Sequence, residues 1–417
     1  MPTRRGFLTG AAAAAVGAAV GTAGIRSADA GADADTSAAA PPAGTAGADR
    51  FAFEGPHQAG IVTPQQRAAA LVALDVTATD RAGLIELLQT ITEQVRFLTG
   101  GGTPADPGIT APPIDNGVLG PEIQPDGLTV TLSVGASLFD GRFGLAARRP
   151  AKLTTMSAAP FPNDTLQATS CDGDLLLQIC ANETDTVLHA LRQITKVTRG
   201  GAQIRWRQDG FQSVPRPSGT PRNLLGFKDG IANPKVDVPA QMDALVWADG
   251  GANGEPAWAT GGTYHVVRLI RMLVEFWDRV DVREQEQMIG RRKDTGAPMT
   301  GGDELTPPDY NNDPTGEAVL FSAHIRKANP RTAQIADSQM LRRAYNYDNG
   351  VDLNGQLQQG LVFVAFNQDL ERQFKAVQTR LIDEPLVDYV SPYGGGYFFA
   401  LPGVSGPTGW LGQALLA

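Results

Sequence analysis

The chain has 417 residues, 42% of them hydrophobic and 19% charged, enough for two domains with substantial cores and unlike a disordered polymer. A formal charge of −9 gives it no electrostatic reason to bind nucleic acid or anionic lipid. With two cysteines and four histidines, zinc ribbons and iron–sulfur clusters built on cysteine are excluded as well.

The N-terminus reads as an address. Arg4 and Arg5 precede Phe7 and Leu8, a weakly apolar Ala/Gly run follows to Ile25, and Ser27–Ala30 offers a small-x-small cleavage pattern. Ala and Gly are too weakly apolar to hold a bilayer anchor, so residues 1–30 are predicted to be a cleaved twin-arginine signal. The expected partner during export is the twin-arginine translocase, and the expected location is extracellular, cell-envelope or periplasmic, with no transmembrane segment in the mature chain. That route carries folded proteins, many of them loaded with a redox cofactor. Residues 31–50, rich in Ala, Gly, Pro and Asp, are predicted to be a flexible tether.

From there the pattern predicts two halves, 51–220 and 221–417, meeting at the Pro/Gly-rich stretch "VPRPSGTPRN". In the first half "AALVALDVT" is strand-like. It leads into a helix with Leu84, Leu87, Leu88, Ile91, Val95 and Leu98 on one face. After a Pro/Gly-rich insertion over 101–127, a lid or a mobile segment, "LTVTLSVG" alternates as a half-buried strand would. A strand "DLLLQICA", an amphipathic helix "TDTVLHALRQITKVTRG" and a closing strand "AQIRWRQ" follow. Strand–helix–strand repeated twice is the ferredoxin-like pattern. The second half repeats it less clearly, through "TYHVVRLIRML", "DVREQEQMIG", "GLVFVAF", "QDLERQFKAVQTRLI" and "GYFFAL". The predicted fold class is α+β: two ferredoxin-like domains, antiparallel sheets with helices packed on one face. Cys171 and Cys180 sit at opposite ends of an extended stretch in which six residues already span roughly 20 Å. They are predicted to be free thiols, because a disulfide holds its Cα atoms about 4.4–6.8 Å apart.

Three stretches carry chemistry. "GFKDGIANP" places Asp229 between Gly226 and Gly230, with Pro234 beyond, on a tight turn that could approach a ligand closely; an ordinary Asx turn is the plain alternative. Of the four histidines, His189 is predicted on the solvated side of its helix, His265 in the core, and His57 in local bonding. His324, in "FSAHIRKANPR", lies among Arg326, Lys327 and Arg331, where an imidazole could take a metal and the cations an anionic group; a surface histidine in a basic loop is the alternative. In "MLRRAYNY", inward-facing Met340 and Leu341 could carry Arg342 inward, or Arg342 could lie on a solvated helix face.

Taken together, "GFKDG", "AHIRKANPR", "MLRRAYNY" and the closing "DEPLVDYVSPYGGGYFFALPG", with "GPHQAGI" and "GRRKDTGAP", resemble the dye-decolorizing (DyP-type) haem peroxidases, in particular their twin-arginine-exported branch. The resemblance runs from about residue 53 to the C-terminus. It implies haem b held mainly by the second half, with His324 as the iron ligand and Asp388 as the carboxylate partner of that imidazole. Arg326 is implied at a haem propionate, and Gly230, Ile231 and Phe363 at the haem face. Leu361, Phe363 and Phe366 are wall or sheet core. Asp229 and Arg342 are implied as catalytic: one moves a proton, the other stabilises charge as the peroxide bond lengthens. The implied activity is oxidation of dyes, phenolics or other one-electron donors by hydrogen peroxide through an oxoferryl intermediate, with a surface Tyr or Trp as the relay to bulky donors. The alternatives are a deferrochelatase that releases iron from haem in an iron-uptake system, a non-catalytic haem carrier, and a chain with no cofactor. A homo-oligomer is compatible with each.

Overall fold

The computed structural model of the protein describes residues 49–252 and 254–417, so the expected signal and nearly all of the expected tether lie outside the described residues. The first half runs β1 (Ala68–Val76), α1 (Arg81–Gly100), β2 (Thr129–Gly135), β3 (Leu175–Ala181), α2 (Thr184–Val197) and β4 (Ala202–Phe211). Asp80 starts α1 by accepting a hydrogen bond from the Gly83 amide, and the six apolar residues predicted on one face are all buried. Full burial of each contributes about 1.5–3 kcal/mol relative to exposure, which is why the helix sits against the sheet. The strands pair antiparallel in the order β4-β1-β3-β2.

The second half contains α3 (Pro239–Leu245), β5 (Thr263–Met272), α4 (Val274–Trp277), α5 (Val282–Ile289), α6 (His324–Ala328), β6 (Leu341–Arg342), β7 (Tyr345–Val351), β8 (Leu357–Asn367), α7 (Ala376–Arg380) and β9 (Val390–Ala400). Its main strands follow the same antiparallel plan, β9-β5-β8-β7. The α+β, ferredoxin-like reading therefore holds for both halves. The two sheets join where β2 meets β9 and where Phe211 of β4 meets Asn346 of β7. Because β5 pairs with both β9 and β8, the joined sheets close into a ring, with β6 laid beside the end of β8.

Closure changes what each strand face meets. Ala70, Val72 and Leu74 of β1 pack toward Leu84, Leu88, Ile91 and Ile194 on the helices. Ala69, Leu71 and Ala73 pack inside the ring against Val267, Val362, Val364, Phe366 and Phe398. Strand β2 is buried throughout rather than on one face, as its alternation suggested. Its polar residues find partners instead of water: Thr131 donates to the Ala59 carbonyl at 2.8 Å, and Ser133 bonds the His265 imidazole at 2.9 Å. The two cysteines are buried and free, as expected.

Other readings are settled or changed by the fold. Of the two left open for "MLRRAYNY", the solvated helix face does not hold; the stretch forms β6 and the start of β7, with Tyr345 and Tyr347 turned into the ring core. The 101–127 insertion is tied down near its middle, where Asn116 donates to the His189 carbonyl and to Gln193. His189 is consequently buried rather than solvated, with Nε2 2.8 Å from Asp115. His57 bonds the carbonyl of Gly261, 204 residues away, and stacks on Trp247, so its role is long-range rather than local. Among the described residues no helix is long and apolar enough to cross a membrane.

Candidate functional site

A cavity of about 300 Å³ opens in the second half, at the small end of the ~300–1,000 Å³ usual for cofactor pockets. Its walls include β5 and β8 of the sheet, the 223–232 loop, the end of α5 with Arg291, helix α6, the stretch from Arg331 to Arg342, and the segment from Phe374 to Pro392. Ile270, Met272, Ile289, Leu361, Phe363 and Leu386 make the lining largely apolar.

His324 opens helix α6 and lines the cavity. Its position is fixed from several sides. Gly290, at φ +93° just past α5, lets α6 approach so closely that a Cβ there would lie 2.7 Å from Ile325. At the other end of α6, Arg380 donates to the carbonyls of Lys327 and Ala328, and Lys327 pairs with Asp383. The imidazole Nδ1 lies 2.7 Å from Oε2 of Glu384, a buried carboxylate. Burial opposes protonation of His324, yet the Glu384 charge and hydrogen bond outweigh it, and the imidazole pKa is raised from its ordinary value. With Nδ1 engaged, Nε2 is left as the ring nitrogen for the cavity. The partner is thus Glu384 and not Asp388, which is exposed one turn later.

Asp229 and Arg342 line the same cavity, with Oδ1 and a guanidinium nitrogen 3.4 Å apart. The loop carrying Asp229 is built from its own backbone. Asn223 Oδ1 accepts from the amides of Leu225 and Phe227, the Asp229 amide donates to the Pro221 carbonyl, and Gly230 donates to Asp229 Oδ1 at 2.7 Å. Gly226 and Gly230 both hold positive φ, +86° and +93°, which other L-residues resist. A Cβ at Gly230 would meet nothing within 4 Å, so the space it faces is open. Asn233 then clasps the loop to β6: its Nδ2 donates to the Arg342 carbonyl at 2.7 Å and its Oδ1 accepts from the Arg342 amide at 3.1 Å. Sequence inspection missed Asn233 and Glu384. A clasp between residues 109 positions apart has no local signature, whereas the Glu384 assignment was one choice among three nearby carboxylates.

Of the other expected contacts, Gly230, Ile231 and Phe363 line the cavity, as does Leu361. Phe366 is ring core. Arg326 does not line it: the guanidinium is committed to Asp313 at 2.7 Å and to the Val319 carbonyl, packed on Tyr310 and Phe321. The cations that do line it are Arg268, Arg291, Arg331, Arg342, Arg380 and Lys228. Burial and the repulsion of Arg331 and Arg342 both lower the pKa of Arg291, and the Tyr310 hydroxyl beside them is buried with no partner. This corner has surplus positive charge and an idle donor. An apolar slot with one free imidazole nitrogen and an anion-seeking corner suits a flat, metal-bearing group that carries carboxylates, and a porphyrin has that chemistry.

Comparisons with known proteins show which family the chain resembles. The family profiles "Dyp-type peroxidase, N-terminal" and "Dyp-type peroxidase, C-terminal" match residues 58–212 and 220–405. A protein named deferrochelatase from Escherichia coli O157:H7 is 53% identical over 369 residues, 87% of this chain and 86% of that one. One of the same name from Yersinia pestis is 51% identical over 368 residues, 87% and 84%. Among solved structures, a DyP-type peroxidase from Cellulomonas bogoriensis superposes with a TM-score of 0.78 at 37% identity, covering 89% of this chain and 99% of that one. Ferric DtpA from Streptomyces lividans gives 0.79 at 35%, covering 90% and 100%.

In the chain without any cofactor, the His324–Glu384 pair predicts a pH signature. A raised imidazole pKa stabilises the fold fully below about pH 6.5, the usual unfolded value, and the increment is lost as pH rises through the folded-state value. Histidine NMR titration should place His324 above its ordinary value in the wild type and lower in Glu384→Gln. An unchanged His324 titration in the variant would contradict the pairing.

Proposed function

The chain belongs to the Dyp-type peroxidase family, and from that premise we propose that it binds haem b through His324 and uses hydrogen peroxide to oxidise one-electron donors such as dyes and phenolics. The observation that carries this reading is the single cavity shared by a carboxylate-backed imidazole and the Asp229–Arg342 pair. Bound haem supplies the redox chemistry, two-electron reduction of peroxide followed by one-electron oxidation of donors. The chain's residues supply the rest.

His324 Nε2 is the ligand to iron, and Glu384 keeps the proton on Nδ1, fixing the ring's tautomer and making it a stronger donor to metal. The apolar walls exclude bulk water from the flat faces. Arg291 and Arg331, with the Tyr310 hydroxyl, take the porphyrin's carboxylates, the role expected of Arg326. Peroxide cleavage needs a proton to travel from the near oxygen to the departing one, so that water leaves rather than hydroxide. Asp229 takes that proton at its carboxylate and returns it. Arg342, held beside it by Asn233, stabilises the negative charge that builds as the bond lengthens. Donors too bulky to enter the cavity are oxidised at the surface, with a Tyr or Trp as relay. The Arg4–Arg5 signal supports export by the twin-arginine route to the periplasm, cell envelope or exterior.

Asp229→Ala and Arg342→Ala should keep haem and its absorption spectrum while peroxide-driven turnover falls by roughly 10²-fold or more, the loss typical of a general acid–base group or a charge-stabilising donor. Wild-type turnover in both would remove these roles.

A second reading is favoured by relatives more than 50% identical that carry the name deferrochelatase. In that reading the same site releases iron from haem and leaves the porphyrin intact. Anaerobic incubation with haem and a reductant, followed by fluorescence, separates the two. Metal-free porphyrin as product supports release; its absence alongside robust dye oxidation leaves the peroxidase reading alone.

A further inference from the structure

Lys228 stands directly before Asp229, in the wall of the cavity, and is 9% exposed. Its charge is spent outside that cavity. The ammonium donates to the Ser218 carbonyl at 2.7 Å and pairs with the Glu304 carboxylate, and neither partner is part of the lining. Glu304 is fully engaged in turn. Oε2 takes Lys228, while Oε1 accepts from the Thr220 amide at 2.7 Å and from the Thr220 hydroxyl at 2.6 Å. Burial opposes ionisation of Glu304, yet these hydrogen bonds prevail, and its pKa is lowered from the ordinary value.

One carboxylate thereby joins three stretches of chain. The 218–222 and 226–229 segments run side by side, with Arg222 bridged to Lys228 and the Asp229 amide donating to the Pro221 carbonyl. From the third stretch, the Glu304 backbone carbonyl accepts from Arg291 at 3.0 Å, so the same residue supports the corner proposed for the porphyrin's carboxylates. The backbone is shaped around the pair. Gly219 and Gly296 both hold φ +79°; a Cβ at the first would lie 2.1 Å from Glu304 Oε2, and at the second 2.7 Å from Lys228 Cδ. A buried ion pair adds little net stability, because desolvation offsets attraction. Removing one partner is costly, since it strands the other charge. What the pair adds here is position: Asp229 hangs between an anchor at Lys228 and the Asn233 clasp.

We propose that Glu304 is a positioning residue for peroxide cleavage, holding Asp229 beside Arg342 through its grip on Lys228. The proposal rests on the peroxidase reading. It assigns Glu304 no contact with haem or peroxide. Loss of the carboxylate frees Lys228 to swing toward the cavity, and the loop that carries Asp229 moves with it. The step affected is the one that uses Asp229 and Arg342, whereas the later oxidation of donors uses neither.

The test is a double-mutant cycle in the haem-loaded protein, read by stopped-flow absorption. Glu304→Gln keeps the size and an oxygen for Thr220, which turns its amide nitrogen toward the Lys228 ammonium, donor against donor. Lys228→Met keeps the apolar stem and drops the charge. Each should slow the peroxide-driven change in the haem spectrum by roughly tenfold or more, the scale of a small misplacement, while reduction of the oxidised protein by donor keeps its wild-type rate. The double variant should lose no more than either single one, because both act through one contact. Fluoride affinity of the ferric haem, which depends on donation from Arg342, should fall in step. A wild-type peroxide rate in Glu304→Gln, additive losses, or equal slowing of the peroxide and donor steps would each overturn the proposal. A crystal structure of the wild-type protein gives a check that needs no variant: Lys228 is expected on Glu304, and a Lys228 turned into the cavity would refute the proposal. A wild-type protein that takes up no haem would instead sink the reading beneath it.

Discussion

One hydrogen bond organises the site: the 2.7 Å contact between His324 Nδ1 and the buried carboxylate of Glu384. An imidazole can present either nitrogen, and a rotating ring is a poor ligand. Glu384 removes that freedom, and the surroundings in turn fix Glu384. It stands at the mouth of the short turn formed by residues 385–388, next to Asp383, which holds Lys327 of the same helix as His324. The close approach allowed by Gly290 and the Arg380 bonds to the end of α6 complete the frame. Two segments that are 60 residues apart in sequence therefore act as one rigid clamp.

Across the shared cavity a different device does comparable work. Asp229 is on a loop and Arg342 is on a two-residue strand, and neither element is rigid by itself. Asn233 presents its side-chain amide to the Arg342 backbone as a strand neighbour would, donating and accepting at once. The loop is thereby registered to the sheet, and through the pairing of Arg342 with Ala365 to β8, which also supplies Leu361 and Phe363 to the wall. Ring closure matters here, because it gives β8 partners on both edges and so a fixed position.

Much of the fold was legible because its elements obey local rules. Helix α1 announced itself by six apolar residues on one face, and both halves by their strand–helix alternation. What escaped depended on long-range closure. Strand β7 carries "YNYDNGV", polar at one end, and it becomes a strand through pairing with β8 rather than through its own pattern. The polar residues of β2 looked solvent-facing until the ring and the 58–66 segment covered them. At the site, Asp229, Arg342 and His324 could be named from their motifs, and the structure brings all three to one cavity. Their supports could not. Glu384 and Asp388 are four positions apart and chemically alike, and only burial tells which faces the imidazole. Arg326 and Arg331 are similarly close, yet Asp313 claims the first.

His324 as the residue that holds iron is the central proposal. The most direct measurement is the absorption and electron paramagnetic resonance spectrum of haem-loaded His324→Gly, with and without added imidazole. Loss of histidine-ligated haem, restored when free imidazole fills the vacated position, is the expected result. A variant whose haem keeps the wild-type axial coordination without imidazole would contradict the account.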